Sequence, residues 1–190
     1  FKNKKVILRL DWNVPLSYGN IDDYFRIESS LPTLKYILSQ NPKYVCIISH
    51  LGRPKGYQEN LSWSKYIDKI KNFIQLPIEF LPDGLSYKTI SKLNDNANKL
   101  YLLENVRFKN EETKFTDKFN YYNKLFNQLG DIYVNDAFGC SHRDHMSITG
   151  FNDKNNSYYG FLIEKEINNL NIIVNNYENK KILAIIGGGK

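Results

Sequence analysis

The run Val45-Cys46-Ile47-Ile48 constrains this chain most, because it is apolar without alternation and stops abruptly in Ser49-His50-Leu51-Gly52-Arg53-Pro54. A strand with no polar side is buried on both faces, the habit of a parallel sheet covered by two layers of helices. In such sheets ligands bind beyond the carboxyl ends of the strands, so a His and an Arg at that end point to an anion. The pattern recurs. Residues 5–10 read as a strand running into Asp11-Trp12-Asn13-Val14-Pro15, where Pro15 ends the pairing. Residues 99–103 run into Glu104-Asn105-Val106-Arg107-Phe108, and 131–135 into a polar loop over 136–145 that holds Cys140, His142, Arg143, Asp144 and His145. A short strand at 78–81 and a last one at 182–186 complete the set.

Between the strands, apolar residues recur at helical spacing. Ile27, Leu31, Leu34 and Leu38 predict a helix over 28–39, with Arg26 just before it and Pro32 tolerated near its start or at a kink. Leu61, Trp63, Ile67, Ile70 and Ile74 predict a second helix, capped by Asn60 or Ser62. Residues 85–93 form a third, Phe115 to Leu129 a fourth closed by Gly130, and 159–177 a long fifth. Alternation of this kind predicts an α/β fold: a three-layer, doubly wound parallel sheet, Rossmann-like, with right-handed crossovers. The sequence stops at Gly187-Gly188-Gly189-Lys190, directly after a buried strand, which reads as a truncation before a second domain of similar size. The expected division is an α/β domain over 1–158, a connecting helix over 159–180 and the start of the next domain over 181–190.

The formal net charge of +6 and the pI of about 9.1 allow an anionic partner of any size. Lysine supplies most of the positive charge, scattered along the chain, whereas arginine occurs only at 9, 26, 53, 107 and 143. The guanidinium fork matches phosphate and carboxylate oxygens, so so sparing a use of it makes each position informative. Cys46 and Cys140 have neither metal spacing nor a disulfide framework, which predicts a reducing compartment. No stretch approaches the ~20 apolar residues of a membrane span, and no signal peptide precedes the first strand, although Phe1 leaves room for an upstream segment. The Asn-rich stretch over 152–179 is compositional bias.

Arg26, Arg53, Arg107 and Arg143 all fall in predicted loops, as do the three histidines; Arg9 lies inside a strand and is expected to be a structural ion-pair partner. In a parallel sheet those loops converge on one edge, so the four arginines and His50 are expected to line a single cleft. The competing reading is that each Arg covers a local helix end or a loop carboxylate such as Glu104, Glu111 or Asp136. No Ser-His-Asp set, paired general base or metal-ligand spacing accompanies the cationic set. Phosphoryl transfer suits such a cleft, since it needs positioning and charge neutralisation, and with a carboxylate acceptor it needs no base. Asp11 and Asn13 fit as groups that orient a substrate hydroxyl, or else as an Asx-type turn ending the strand. Gly187-Gly188-Gly189-Lys190 falls short of a P-loop, though a nucleotide can approach such a backbone closely.

Taken together, Arg9-Leu10-Asp11-Trp12-Asn13-Val14-Pro15, Ser49-His50-Leu51-Gly52-Arg53-Pro54, Leu103-Glu104-Asn105-Val106-Arg107-Phe108 and Tyr133-Val134-Asn135-Asp136-Ala137-Phe138-Gly139 resemble the ordered motifs of the phosphoglycerate kinase family. Trp12 stands where Phe or Leu is usual, Cys140 where Thr is common, and Asp144 where Ala is usual. The resemblance implies one lobe of a two-lobed kinase of glycolysis. That kinase moves a phosphoryl group reversibly between 1,3-bisphosphoglycerate and ADP, giving 3-phosphoglycerate and ATP, with Mg-ATP and Mg-ADP bound mainly by the absent domain.

By motif position, the resemblance makes Arg53, Arg107 and Arg143 holders of the phosphoglycerate phosphate and Asp11, Asn13 and His50 its orienting groups. Arg26 and Lys190 would neutralise the phosphoryl group in flight, Gly187, Gly188, Gly189 and Lys190 would meet the nucleotide, and no metal ligand falls in this stretch. The helix over 159–177 would join the lobes and serve their closure. A monomer is expected, inactive without its second lobe, with no nucleic-acid or membrane partner, in the cytoplasm or in a plastid-like organelle. Asp144 is expected to face solvent. Two rivals remain at this point: a basic nucleic-acid-binding α/β domain, which lacks a clear recognition helix, and an inactive regulatory protein built on the same lobe.

Overall fold

The computed structural model describes residues 1–95 and 99–175, with 183, 185 and 187. Its first strand, β1 (Lys5–Leu10), is followed by a small antiparallel pair, β2 (Leu16–Ser17) and β3 (Asn20–Ile21), then by α1 (Phe25–Ser39) and β4 (Tyr44–Ile48). After a long loop come α2 (Ile67–Ile74), β5 (Glu79–Leu81), α3 (Tyr87–Asp95) and β6 (Leu100–Leu103). The chain continues through α4 (Phe119–Gln128), β7 (Ile132–Asp136), the single turn α5 (Met146–Thr149), β8 (Ser157–Tyr159) and α6 (Phe161–Asn175).

Six strands form one sheet in the order β5-β6-β4-β1-β7-β8, and every pairing in it is parallel. From β1 the chain first builds outward on the β4 side and later crosses to the β7 side, so β1 is the switch point of a doubly wound α/β sheet. Ligands are received beyond the carboxyl ends at such a point. Successive residues of β1 serve opposite faces. Val6, Leu8 and Leu10 pack with Ile27 and Leu34 of α1 and Ile70 of α2, whereas Ile7 packs with Cys46, Tyr101 and, from α4, Leu125 and Phe126. Both faces are therefore dry, as the unalternating run at 45–48 requires, and Val45, Cys46, Ile47 and Ile48 are wholly buried.

The elements differ from the sequence pattern where long-range contacts decide. The first helix begins at Phe25, because Asp23 Oδ1 accepts a hydrogen bond from the Phe25 amide at 2.7 Å, so Arg26 lies in its first turn and Pro32 in its interior. The second helix does not start at Leu61. Ser62 is extended (φ −80°, ψ 137°) with its hydroxyl turned to Glu104 at 2.5 Å, which leaves two 3-10 turns, Glu59–Leu61 and Trp63–Lys65, ahead of α2. The fourth helix is shorter than its apolar spacing, since Phe115 stacks on Phe119 from outside it. What read as the start of the last helix is the edge strand β8, whose Tyr158 and Tyr159 are exposed. Residues 176–177 of that predicted helix, most of the strand predicted over 182–186, and Gly188, Gly189 and Lys190 lie outside the described residues.

Candidate functional site

Four loops leave the carboxyl edge of the sheet side by side and are tied to one another by their own polar groups. Beyond β1, the Trp12 amide donates to Ser49 Oγ at 2.9 Å, and Asn13 Oδ1 accepts from the Gly52 amide at 2.8 Å, which pins the β1 loop to the β4 loop. Beyond β6, Asn105 accepts from the Leu51 amide through Oδ1 and donates through Nδ2 to the Leu51 carbonyl at 2.8 Å, and Arg107 donates to the Gly52 carbonyl at 2.8 Å. Gly52 itself has φ +65°, and a Cβ there would come within 2.9 Å of Leu61, so two requirements fix glycine at this bend.

The loops enclose a cavity of about 170 Å³. Its wall brings together all the substrate-binding positions read from the sequence: Asp11 and Asn13 from the β1 loop, Arg26 from α1, His50 and Arg53 from the β4 loop, Arg107 from the β6 loop and Arg143 from the β7 loop. Gly139 and Cys140 complete it. Asn13 closes an Asx-type turn, its amide donating to Asp11 Oδ1 at 3.4 Å, so the local reading of these two residues and their place in the cleft both hold. Asp11 Oδ2 pairs with Arg26, the only ion pair the four cleft arginines make among the described residues. The loop carboxylates are spent elsewhere. Glu104 accepts from Ser62, Trp63 and Asn105, Glu111 from Thr116, and Asp136 from the Leu162 and Ile163 amides at the start of α6. Arg26, Arg53 and Arg143 are exposed at the rim, and Arg107 is half-buried with its Nε buried and without an acceptor among the described residues. The result is concentrated positive charge over a small cavity, offset only at Arg26 by Asp11.

Beneath the wall lies polar machinery that the sequence pattern missed. Arg9, expected to be an ion-pair partner, has no carboxylate within ion-pair distance among the described residues. Wholly buried, it donates through Nε to Ser147 Oγ at 2.9 Å, through one terminal nitrogen to the Leu10 carbonyl, and through the other to His50 Nδ1 at 3.2 Å. Ser147 in turn donates from its hydroxyl and its amide to Glu112, at 2.7 and 3.0 Å. Glu112 is buried, and His145 Nδ1 stands 3.7 Å from it. The one available signal was a charged residue near the end of a central strand whose neighbours are all apolar, since such a charge must find buried partners. Where those partners lie is a tertiary fact.

Burial, then Arg9, Arg107, His145 and Arg143, push the His50 pKa down to about 2, and burial followed by the same arginines takes His145 to about 4. Both are neutral imidazoles near neutral pH. Burial raises the Glu112 carboxyl, against the pull of Arg9 and Ser147. Of the remaining loop residues, His142 is exposed and outside the cleft, and Asp144 faces solvent, accepting from the Thr149 hydroxyl at 2.7 Å. Cys46 and Cys140 are both free. Donor atoms of Asp11, His50 and Cys140 lie within 4.8 Å of one another. Arg9 already occupies His50 Nδ1, Arg26 holds Asp11, and guanidiniums surround the set, so the charge suits an anion and opposes a cation. Among the described residues, no helix is long and apolar enough to cross a membrane.

Comparisons with known proteins agree with this architecture. Residues 1–190 match the family model of phosphoglycerate kinase. The phosphoglycerate kinase of Orientia tsutsugamushi (strain Ikeda) is 42% identical over 191 residues, covering 100% of this chain and 46% of that protein. That of Wolbachia pipientis wMel is 40% identical over 189 residues, covering 99% and 46%. Among solved structures, the phosphoglycerate kinase of Pyrococcus horikoshii OT3 superposes with a TM-score of 0.82 at 30% identity, over 95% of this chain and 45% of that one. The Coxiella burnetii enzyme gives 0.70 at 26%, over 92% and 43%. The chain spans about half the length of the curated relatives it matches. With a family model matching it from end to end, this chain belongs to the phosphoglycerate kinase family.

Proposed function

We propose that this chain is the phosphoglycerate-binding lobe of a phosphoglycerate kinase, taking part in reversible phosphoryl transfer between 1,3-bisphosphoglycerate and ADP to give 3-phosphoglycerate and ATP. The observation that carries the reading is the convergence of Arg26, Arg53, Arg107 and Arg143 with His50, Asp11 and Asn13 on one small cavity at the switch point of the sheet. In this reading Arg53, Arg107 and Arg143 hold the substrate phosphate, Arg107 with the nitrogens that Gly52 leaves free. Asp11, Asn13 and His50 orient the hydroxyl and carboxyl end. Arg26 is exposed and, on leaving Asp11, turns toward the transferring group, where charge spreads in the transition state.

The acceptor is itself a carboxylate, so the lobe has no proton to remove, which agrees with a cleft whose histidine is neutral. The family implies a nucleotide substrate and with it Mg²⁺. The described residues do not fit that ion: Asp11 is the cleft's only carboxylate, Arg26 already occupies it, and a hard cation needs several oxygens. Gly187, with Gly188, Gly189 and Lys190, belongs to the nucleotide side in this proposal. The same reading divides the chain into a binding domain over 1–158, an interlobe helix over 159–180 and the first residues of the nucleotide domain. It also carries a monomeric enzyme of the cytoplasm, or of a plastid-like organelle, without nucleic-acid or membrane partners.

Titration calorimetry with 3-phosphoglycerate tests the reading. Wild type binds, and Arg53→Ala binds about tenfold or more weakly, the loss of one charged hydrogen-bond donor to the phosphate. Equal affinity in the two proteins sinks the site. This chain alone turns over neither 3-phosphoglycerate nor ATP.

A further inference from the structure

We propose that Arg9, held in place by Ser147 and Glu112, is the positioning residue that fixes His50 as an Nε2–H donor facing the bound substrate. The inference rests on the reading of the cleft as a phosphoglycerate site and adds to it residues that lie behind the cavity wall.

Arginine carries five donors and no acceptor. The contact between an Arg9 terminal nitrogen and His50 Nδ1, 3.2 Å long, therefore requires Nδ1 to be the bare, accepting nitrogen. The Cys140 thiol, 3.9 Å from the same nitrogen, is a second donor toward it. A neutral imidazole with a bare Nδ1 has its proton on Nε2, and His50 lines the cavity, so the nitrogen left to face an anion is a donor. The other tautomer would set N–H against N–H at Arg9 and present an anion with a lone pair. Protonation, the third state, is opposed first by burial of the ring and then by Arg9 from β1, Arg107 from the β6 loop, and His145 and Arg143 from the segment after β7, with Asp11 engaged by Arg26.

The lock holds only while the Arg9 guanidinium keeps its orientation, and that is set from the far side. Nε donates to Ser147 Oγ at 2.9 Å, and the Ser147 hydroxyl must then spend its own proton on Glu112, which it does at 2.7 Å. The Ser147 amide donates to the other Glu112 oxygen at 3.0 Å, so the carboxylate grips the serine from two sides. Proton direction is thus consistent along the whole line: Arg9 gives to Ser147 and to His50, and Ser147 gives to Glu112. Glu112 is the acceptor at the end of the line, and in its ionised form its charge also offsets that of Arg9 in a buried place. Buried networks satisfied in this manner set orientation more than they add affinity.

Long-range proton–nitrogen correlation spectra of the imidazoles in this chain read the tautomer directly. Wild type should show His50 as the single Nε2–H form with no titration between about pH 5 and 8. Ser147→Ala removes the relay and should give mixed tautomers with 3-phosphoglycerate affinity lowered about tenfold, while Ser147→Thr, which keeps the hydroxyl, restores both. Glu112→Gln should shift the tautomer in the same direction. If wild type shows the Nδ1–H form or a titrating His50, or if Ser147→Ala leaves both tautomer and affinity as in wild type, the lock is wrong. Should a variant fail to fold by circular dichroism, the wild-type spectrum decides by itself. Failure of 3-phosphoglycerate to bind wild type while the Nε2–H form is seen would overturn the substrate reading and not the lock.

Discussion

Arg9 beneath the cleft and Arg53 at its rim contribute to the same positive field, yet one is wholly buried with three donated hydrogen bonds inside the protein and the other stands in solvent without a carboxylate partner among the described residues. The floor of the site, built of Arg9, His50, Ser147 and Glu112 with His145 beside them, is buried, and the Arg9 charge in it is met by hydrogen bonds to Ser147, Leu10 and His50. The rim, Arg26, Arg53 and Arg143, is free to adapt because water screens it. In the proposed reading stability rests on the floor and anion capture on the rim, and substitutions should separate the two.

The largest separation is expected between Glu112→Ala and Arg53→Ala. Removing the buried carboxylate leaves Arg9 and Ser147 without their acceptor, and breaking a buried charged network costs about 3–5 kcal/mol. Arg53→Ala removes an exposed side chain and should change stability by within about 0.5 kcal/mol, while it weakens binding. Urea denaturation of both proteins, compared at constant m-value, reads the difference. Equal losses would erase the distinction between floor and rim.

This division was only half legible in the sequence. The rim was readable because parallel strands bring their carboxyl ends to one edge, so Arg53, Arg107 and Arg143, each a few residues past an apolar run, had to meet. Local pattern carries that much. The floor was not, because Arg9 finds Ser147 and Glu112 more than a hundred residues away, on a turn and a 3-10 segment that no periodicity marks. The same cause hid the break before α2, where Ser62 turns its hydroxyl to Glu104 across the sheet edge and overrides a good helical repeat. β8 was missed for want of length: three residues with exposed tyrosines show neither alternation nor an apolar run.

The next effect is one of pH and belongs to the floor. His145 is held neutral, its pKa lowered to about 4 by burial first and then by the arginines. In the unfolded chain it titrates near 6.5, so between those values the unfolded state binds a proton that the folded state refuses. Stability is therefore intact above about pH 6.5 and falls as the pH drops toward 4, this group contributing at most ~1.4 kcal/mol per pH unit and less where solvent screens it. His145→Asn should remove that share of the slope, with the His50 contribution common to both proteins. Denaturation midpoints at a series of pH values test it, and an unchanged slope would mean that His145 is solvated and no part of the floor.

The smallest effect should come from Asp144, which tests how sharply the rim ends. It follows Arg143, a wall residue, and in sequence it places a negative charge beside the anion site. Asp144 itself is exposed and is not part of the cavity wall, and its Oδ1 is occupied by the Thr149 hydroxyl at 2.7 Å, which draws it toward α5. Exposed neighbouring charges on diverging side chains interact by at most about 0.5 kcal/mol in water, and less in salt. Asp144→Asn should accordingly tighten 3-phosphoglycerate binding by no more than about twofold, with the gain gone at high salt. A gain of tenfold or more would place the carboxylate inside the field of the site, and Arg143 would then be a partly neutralised member of the set.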